Sequence, residues 1–143
     1  MLTIDDPAQF VAEKLARFVQ AYGPGAYNGD LETLENEILW FSNRNRLWTI
    51  TVHGALAGVG TGLRYNKPED ADEQDWFARE STTGLYFYVR MFVIHNDFRH
   101  YRISKCMVGL IRNQFVGLKY LVWRGNENLY IKHIGRMLGE RKG

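Results

Sequence analysis

The chain has 143 residues, of which 45% are apolar, 14% aromatic and 24% charged, the composition of one globular domain rather than a disordered or fibrous chain. No stretch approaches the roughly 20 consecutive apolar residues of a membrane-spanning helix, and the start, with Asp5 and Asp6, lacks the basic and apolar parts of a signal peptide. The single cysteine, Cys106, excludes a disulfide framework or a zinc site built mainly from thiolates, so a reducing, cytoplasmic setting is expected. The net charge of +2 hides an asymmetry. Residues 1–80 carry 7 Lys/Arg and 13 Asp/Glu, a net of −6, while residues 81–143 carry 11 and 3, a net of +8, which assigns anion binding to the C-terminal half.

In chain order, Phe10, Val11, Leu15, Phe18, Val19 and Tyr22 recur at helical spacing and predict a helix over 7–22, with Asp6 as N-cap and Pro7 in the first turn. A second helix is expected over 30–42, capped by Asp30 and covered on one side by Leu31, Leu34, Ile38, Leu39 and Phe41. Both precede any sheet in this reading. Residues 47–52 and 55–65 are β-branched and aromatic around His53-Gly54, a hairpin whose second strand is weakened by Gly58, Gly60 and Gly62. Residues 66–83 hold an acidic run and one short helix around Trp76. This connection is long enough for a lid, although a solvated acidic loop is the plainer expectation.

Residues 84–94, GLYFYVRMFVI, predict a central strand covered on both faces, with Arg90 as its one charge. A helix over 99–114, a strand over 118–123 and a final helix marked by Tyr130, Ile134, Met137 and Leu138 follow. A hairpin together with a strand-helix-strand crossover requires a mixed sheet, so the class is α/β or α+β.

The chemistry concentrates where the central strand meets the next helix, at Ile94-His95-Asn96-Asp97-Phe98-Arg99-His100-Tyr101-Arg102-Ile103-Ser104. Helix starts present unpaired N–H groups to anions, and Arg99, Arg102 and Lys105 add charge there. This segment resembles the strand-loop-helix signature of the GCN5-related N-acetyltransferase (GNAT) superfamily, V-x-P-x-x-R-G-x-G-x-G/A-x-x-L. Ile94 falls on its Val, Arg99 on the Q/R that opens its core, Arg102 on the first core Gly, Ser104 on the Gly/Ala and Met107 on the Leu. The hairpin LWTITVHGALAGVGTG and the segment WRGNENLYIKHIG are also similar to parts of that superfamily. A W-x-G-N with an I-G helix end further resembles small GNAT-like virion proteins of short-tailed phages.

The resemblance spans residues 8–138 and implies a GNAT-like mixed, twisted sheet with helices on both faces, in a single domain over 1–143. The chain ends eight residues after Gly135, so the usual C-terminal hairpin is expected to be missing. The resemblance further implies transfer of an acetyl group from acetyl-coenzyme A (acetyl-CoA) to an amine. Met91, Phe92 and Val93 would hold the pantetheine; Arg99, Arg102, Ile103, Ser104 and Lys105 the pyrophosphate; and Asn126 would lie near the pantetheine arm. His95 is the candidate base, since histidine titrates in the useful range, and Tyr130 the candidate acid. Both have plainer structural readings: a strand-end histidine and a core tyrosine.

Two other readings stay open. One is a catalytically inactive GNAT-like scaffold that binds protein, as a phage virion component or inhibitor of a host enzyme, in host cytoplasm or virion, or pairs with a second copy to complete the sheet. The other is nucleic-acid binding by a basic helix over 99–112, where Arg99, Arg102 and Lys105 would share a face. No RNP, KH, zinc-finger or basic-zipper pattern accompanies it, and the acidic first half opposes a long polyanion, so nucleic acid is not the expected partner. His53, His100 and His133 are dispersed, and no metal site is expected.

Overall fold

The computed structural model describes residues 2–5, 12–23, 29–125 and 127–139, with residues 2–5 and 100 described by their backbone alone. The elements are β1 (Leu2–Asp5), α1 (Ala12–Tyr22), α2 (Leu31–Ser42), β2 (Leu47–Val52), β3 (Ala55–Tyr65), β4 (Tyr86–Ile94), α3 (Ile103–Gln114), β5 (Tyr120–Gly125), β6 (Asn128–His133) and α4 (Ile134–Met137). Short 3₁₀ helices occupy Pro68–Asp72, Trp76–Ala78 and Asn96–Tyr101. The strands order as β1-β2-β3-β4-β5-β6 in one sheet. β4 and β5 are paired in parallel, whereas β1 with β2, β2 with β3 and β5 with β6 are antiparallel. The class is a mixed α/β sheet, as the crossover argument requires.

The chain divides into two compact units, Met1–Thr61 with Met91–Ile103, and Gly62–Arg90 with Ser104–Gly143. In the first, α1 buries Leu15, Ala16, Phe18 and Val19 along one stripe, the i, i+3, i+4 pattern of a helix with one apolar face. Asp30 caps α2 by accepting from the N–H groups of Glu32 and Thr33, which satisfies two donors that a helix start leaves unpaired. Leu34, Ile38 and Phe41 are buried on α2, whereas Leu39 is 46% exposed and leaves the predicted stripe.

The β2–β3 hairpin has its predicted bounds, and His53 and Gly54 turn it with φ of 51° and 82°, the positive pair that a two-residue turn between twisted strands needs. The glycines of β3 make close approach possible rather than merely weakening the strand. A Cβ at Gly58 would lie 2.7 Å from Ile103 Cγ2, so the start of α3 sits directly on the strand.

In the second unit, a Cβ at Gly62 would collide with the Tyr88 carbonyl oxygen. Ala57 accepts from His95 N–H in the first unit, so rising numbers in β3 meet falling numbers in β4 and these strands run antiparallel. The ladder of β4 with β5 runs from Tyr86↔Tyr120 to Tyr88↔Val122.

Several expectations are corrected. β1 precedes the helices and pairs with β2; four residues are too few to show a period. The predicted start of the first helix, with Asp6, Pro7, Phe10 and Val11, lies outside the described residues. The final helix is mostly strand: residues 128–133 form β6, and only Ile134–Met137 are helical. Tyr130 and Ile134 lie four apart, which mimics a helix stripe, but a two-residue connection after Gly125 makes a hairpin instead. The basic helix over 99–112 does not exist as one element. Arg99 lies in a 3₁₀ helix, Arg102 is left-handed and α3 starts at Ile103, so Arg99, Arg102 and Lys105 share no helical face.

Candidate functional site

In the first unit, β4 ends at Ile94 and His95 caps the following 3₁₀ helix, accepting from Asp97 N–H on Nδ1 at 3.1 Å. That bond places the proton of the neutral ring on Nε2. The ring is held by Tyr22 and Phe98, with centroids at 4.0 and 5.1 Å. Arg99 is exposed, and its Nε donates to Asn96 Oδ1 at 3.2 Å.

Arg102 follows with φ 56° and ψ 42°, the left-handed region, which costs a residue with a Cβ about 1 kcal/mol or more. This is the position that carries glycine in the signature quoted above, and the backbone here keeps a conformation glycine favours. Arg102 is exposed and makes no hydrogen bond or ion pair with any described residue. Met91, Val93 and Ile103 are buried and Phe92 is half-buried, so the backbone of this strand, rather than those three buried side chains, is what a ligand could reach.

α3 opens at Ile103 and continues into the second unit, where Ser104 and Lys105 are exposed. The first N–H groups of a helix lack intrahelical acceptors. In the first unit the exposed Arg99 and Arg102 precede that helix start in the chain, a combination suited to a phosphorylated anion. Cys106, one residue on, is half-buried, and burial pushes its thiol above the usual range; that disfavours the thiolate a nucleophile needs.

Elsewhere in the second unit, Tyr130 lies on β6 and stacks on Trp123, with ring centroids 5.6 Å apart. Asn126 lies outside the described residues.

A second cluster had no motif to announce it. Arg124 forks onto the Asp72 carboxylate through Nε and Nη2, and the guanidinium holds that carboxyl below its usual range. Arg90 donates to the Ala71 carbonyl at 3.0 Å and lies 4.0 Å over the Trp76 ring. The Tyr65 hydroxyl donates to the Trp76 carbonyl, and burial raises the Tyr65 phenol well above its ordinary value. The 66–83 segment is therefore pinned to the sheet at three points, and its buried Ala71 shows that it is not a solvated loop throughout. Only the alternation of charge and aromatics around Trp76 hinted at this. Among the described residues no three His, Cys, Asp or Glu side chains are grouped to hold a metal ion. Among the described residues no helix is long and apolar enough to cross a membrane.

No protein-family model matches the chain, and no curated protein sequence matches it. Solved structures do. The GphF GNAT-like decarboxylase in complex with isobutyryl-CoA matches with TM-score 0.60 at 12% identity, over 86% of this chain and 64% of that one. The loading GNATL domain of CurA from Lyngbya majuscula matches with TM-score 0.57 at 12% identity, over 86% and 63%. AAC(6')-Iy in complex with the bisubstrate analog CoA-S-monomethyl-acetylneamine matches with TM-score 0.58 at 11% identity, over 99% and 90%. The chain spans less than two thirds of the first two structures. At these identities the likeness concerns the fold, and the fold of this chain is GNAT-like.

Proposed function

We propose that the chain is a GNAT-type acyltransferase that moves an acetyl group from acetyl-CoA to an amine. The observation that carries this reading is the left-handed Arg102 between a strand end and a helix start, flanked by Arg99 and Lys105. Strain at such a junction persists where the backbone must present its N–H groups in a set direction. When bound, acetyl-CoA supplies the acyl group as an activated thioester. Arg99, Arg102 and Lys105, with the N–H groups of Ile103 and Ser104, bind its pyrophosphate; the backbone of Met91, Phe92 and Val93 orients its pantetheine. His95 acts here as a positioning residue, because taking a proton on Nδ1 would release the Asp97 cap, and the amine proton passes to water. The CoA-bound structures of the same fold support the choice of ligand.

Calorimetric titration with acetyl-CoA tests the reading, with ADP as a control for the pyrophosphate half. The expected result is a Kd of about 1–100 μM, with thiol release when an amine acceptor is added. No heat at about 1 mM ligand contradicts it.

A further inference from the structure

β6 is the last strand of the sheet. Ile134 N–H donates to the Lys119 carbonyl, which sets the phase of the β5–β6 ladder: Lys132 and Tyr130 bond inward, while the N–H and C=O groups of Leu129, Ile131 and His133 point outward. Such an edge is a template for another strand, and proteins usually blunt it. Here Tyr130 and Ile131 are 39% and 46% exposed instead. Beside the edge lies a cleft of about 420 Å³ lined by Ile131, Lys132, His133, Arg136 and Met137. The side chains of Lys132 and Arg136 are exposed and make no hydrogen bond or ion pair with any described residue, and β6 itself contains no carboxylate.

We infer that the outer edge of β6 is a docking strand for an acidic, extended peptide of a partner protein. The peptide backbone pairs with Leu129, Ile131 and His133, its carboxylates meet Lys132 and Arg136, and one apolar side chain enters the cleft against Ile131 and Met137. In strand addition of this kind main-chain bonds give affinity and alternate side chains give specificity. Charge decides the occupant: a second copy paired through β6 would bring Lys132 and Arg136 against their own kind, and like charges across a strand pair are unfavourable. The inference is independent of acyl transfer, since no residue assigned to acetyl-CoA lies in the cleft.

The probe is a fluorescein-labelled, capped peptide of alternating valine and glutamate, titrated with the full chain and followed by anisotropy. The expected result is saturable binding below about 1 mM that weakens at least tenfold with Lys132→Glu/Arg136→Glu. It should also be lost when the peptide amides that face β6 are N-methylated, a change that leaves the protein untouched. Absence of binding, or binding indifferent to N-methylation, overturns the inference. A chain that sediments as a dimer, is made monomeric by the double variant and ignores the peptide also overturns it, assigning the edge to a second copy.

Discussion

Three arginines of the second unit and two at the 94–104 junction have opposite surroundings. Arg64, 5% exposed, donates through Nε to the Gly84 carbonyl and through Nη2 to the Val116 carbonyl at 2.8 Å; Arg90 and Arg124 hold Ala71 and Asp72. Those guanidiniums bind the protein to itself. Arg99 and Arg102 are exposed around a strained turn. A count of +8 over residues 81–143 therefore overstates what is available to a ligand. Charge signals binding only after the cations already engaged with carbonyls, carboxylates and indoles are set aside.

Substitutions can break or sharpen this contrast. The largest stability effect is expected from Arg64→Met: two carbonyls lose their donor, and a loss of about 2–4 kcal/mol in urea unfolding should accompany unchanged acetyl-CoA affinity. Arg102→Ala should do the reverse, costing about 1.4 kcal/mol, or tenfold, in acetyl-CoA affinity by calorimetry while leaving the unfolding midpoint in place.

Arg124→Ala should cause a smaller loss of stability, screened because both partners are partly exposed, and its pH dependence identifies it. The Asp72 carboxyl is lowered from 3.8 in the fold, so the pair contributes fully above the unfolded value and fades as pH falls through the lower, folded one. The stability gap between wild type and variant should therefore be constant near neutrality and close only below about pH 4. The smallest effect belongs to Arg102→Gly, which should raise stability by about 0.5 kcal/mol as the left-handed strain is relieved, yet still weaken acetyl-CoA binding because the charge is gone. A loss of stability there would contradict the strain.

How far the sequence could be read depended on whether local signals agreed with each other. The β2–β3 hairpin was legible because β-branched runs and the His53-Gly54 turn point the same way. β6 was misread as helix because Tyr130, Ile134 and Leu138 happen to be four apart, a period that a short strand followed by one helical turn reproduces. That a strand passes into a helix across 94–104 was legible from the apolar run and the helical stripe that follow each other there. That Arg102 would interrupt the helix was not, since arginine is not among the residue types enriched at positive φ. The anchoring of 68–78 by Arg90 and Arg124 depends on partners 19 and 52 residues away, a separation no local pattern encodes.

The most direct test of the contrast is a side-by-side calorimetric titration of acetyl-CoA into wild type, Arg102→Ala and Arg124→Ala. The predicted result is a loss of about tenfold or more in Arg102→Ala and wild-type affinity in Arg124→Ala. Equal losses in both variants, or affinity lost only in Arg124→Ala, would show that the ligand charge lies with the anchored arginines and would contradict the account.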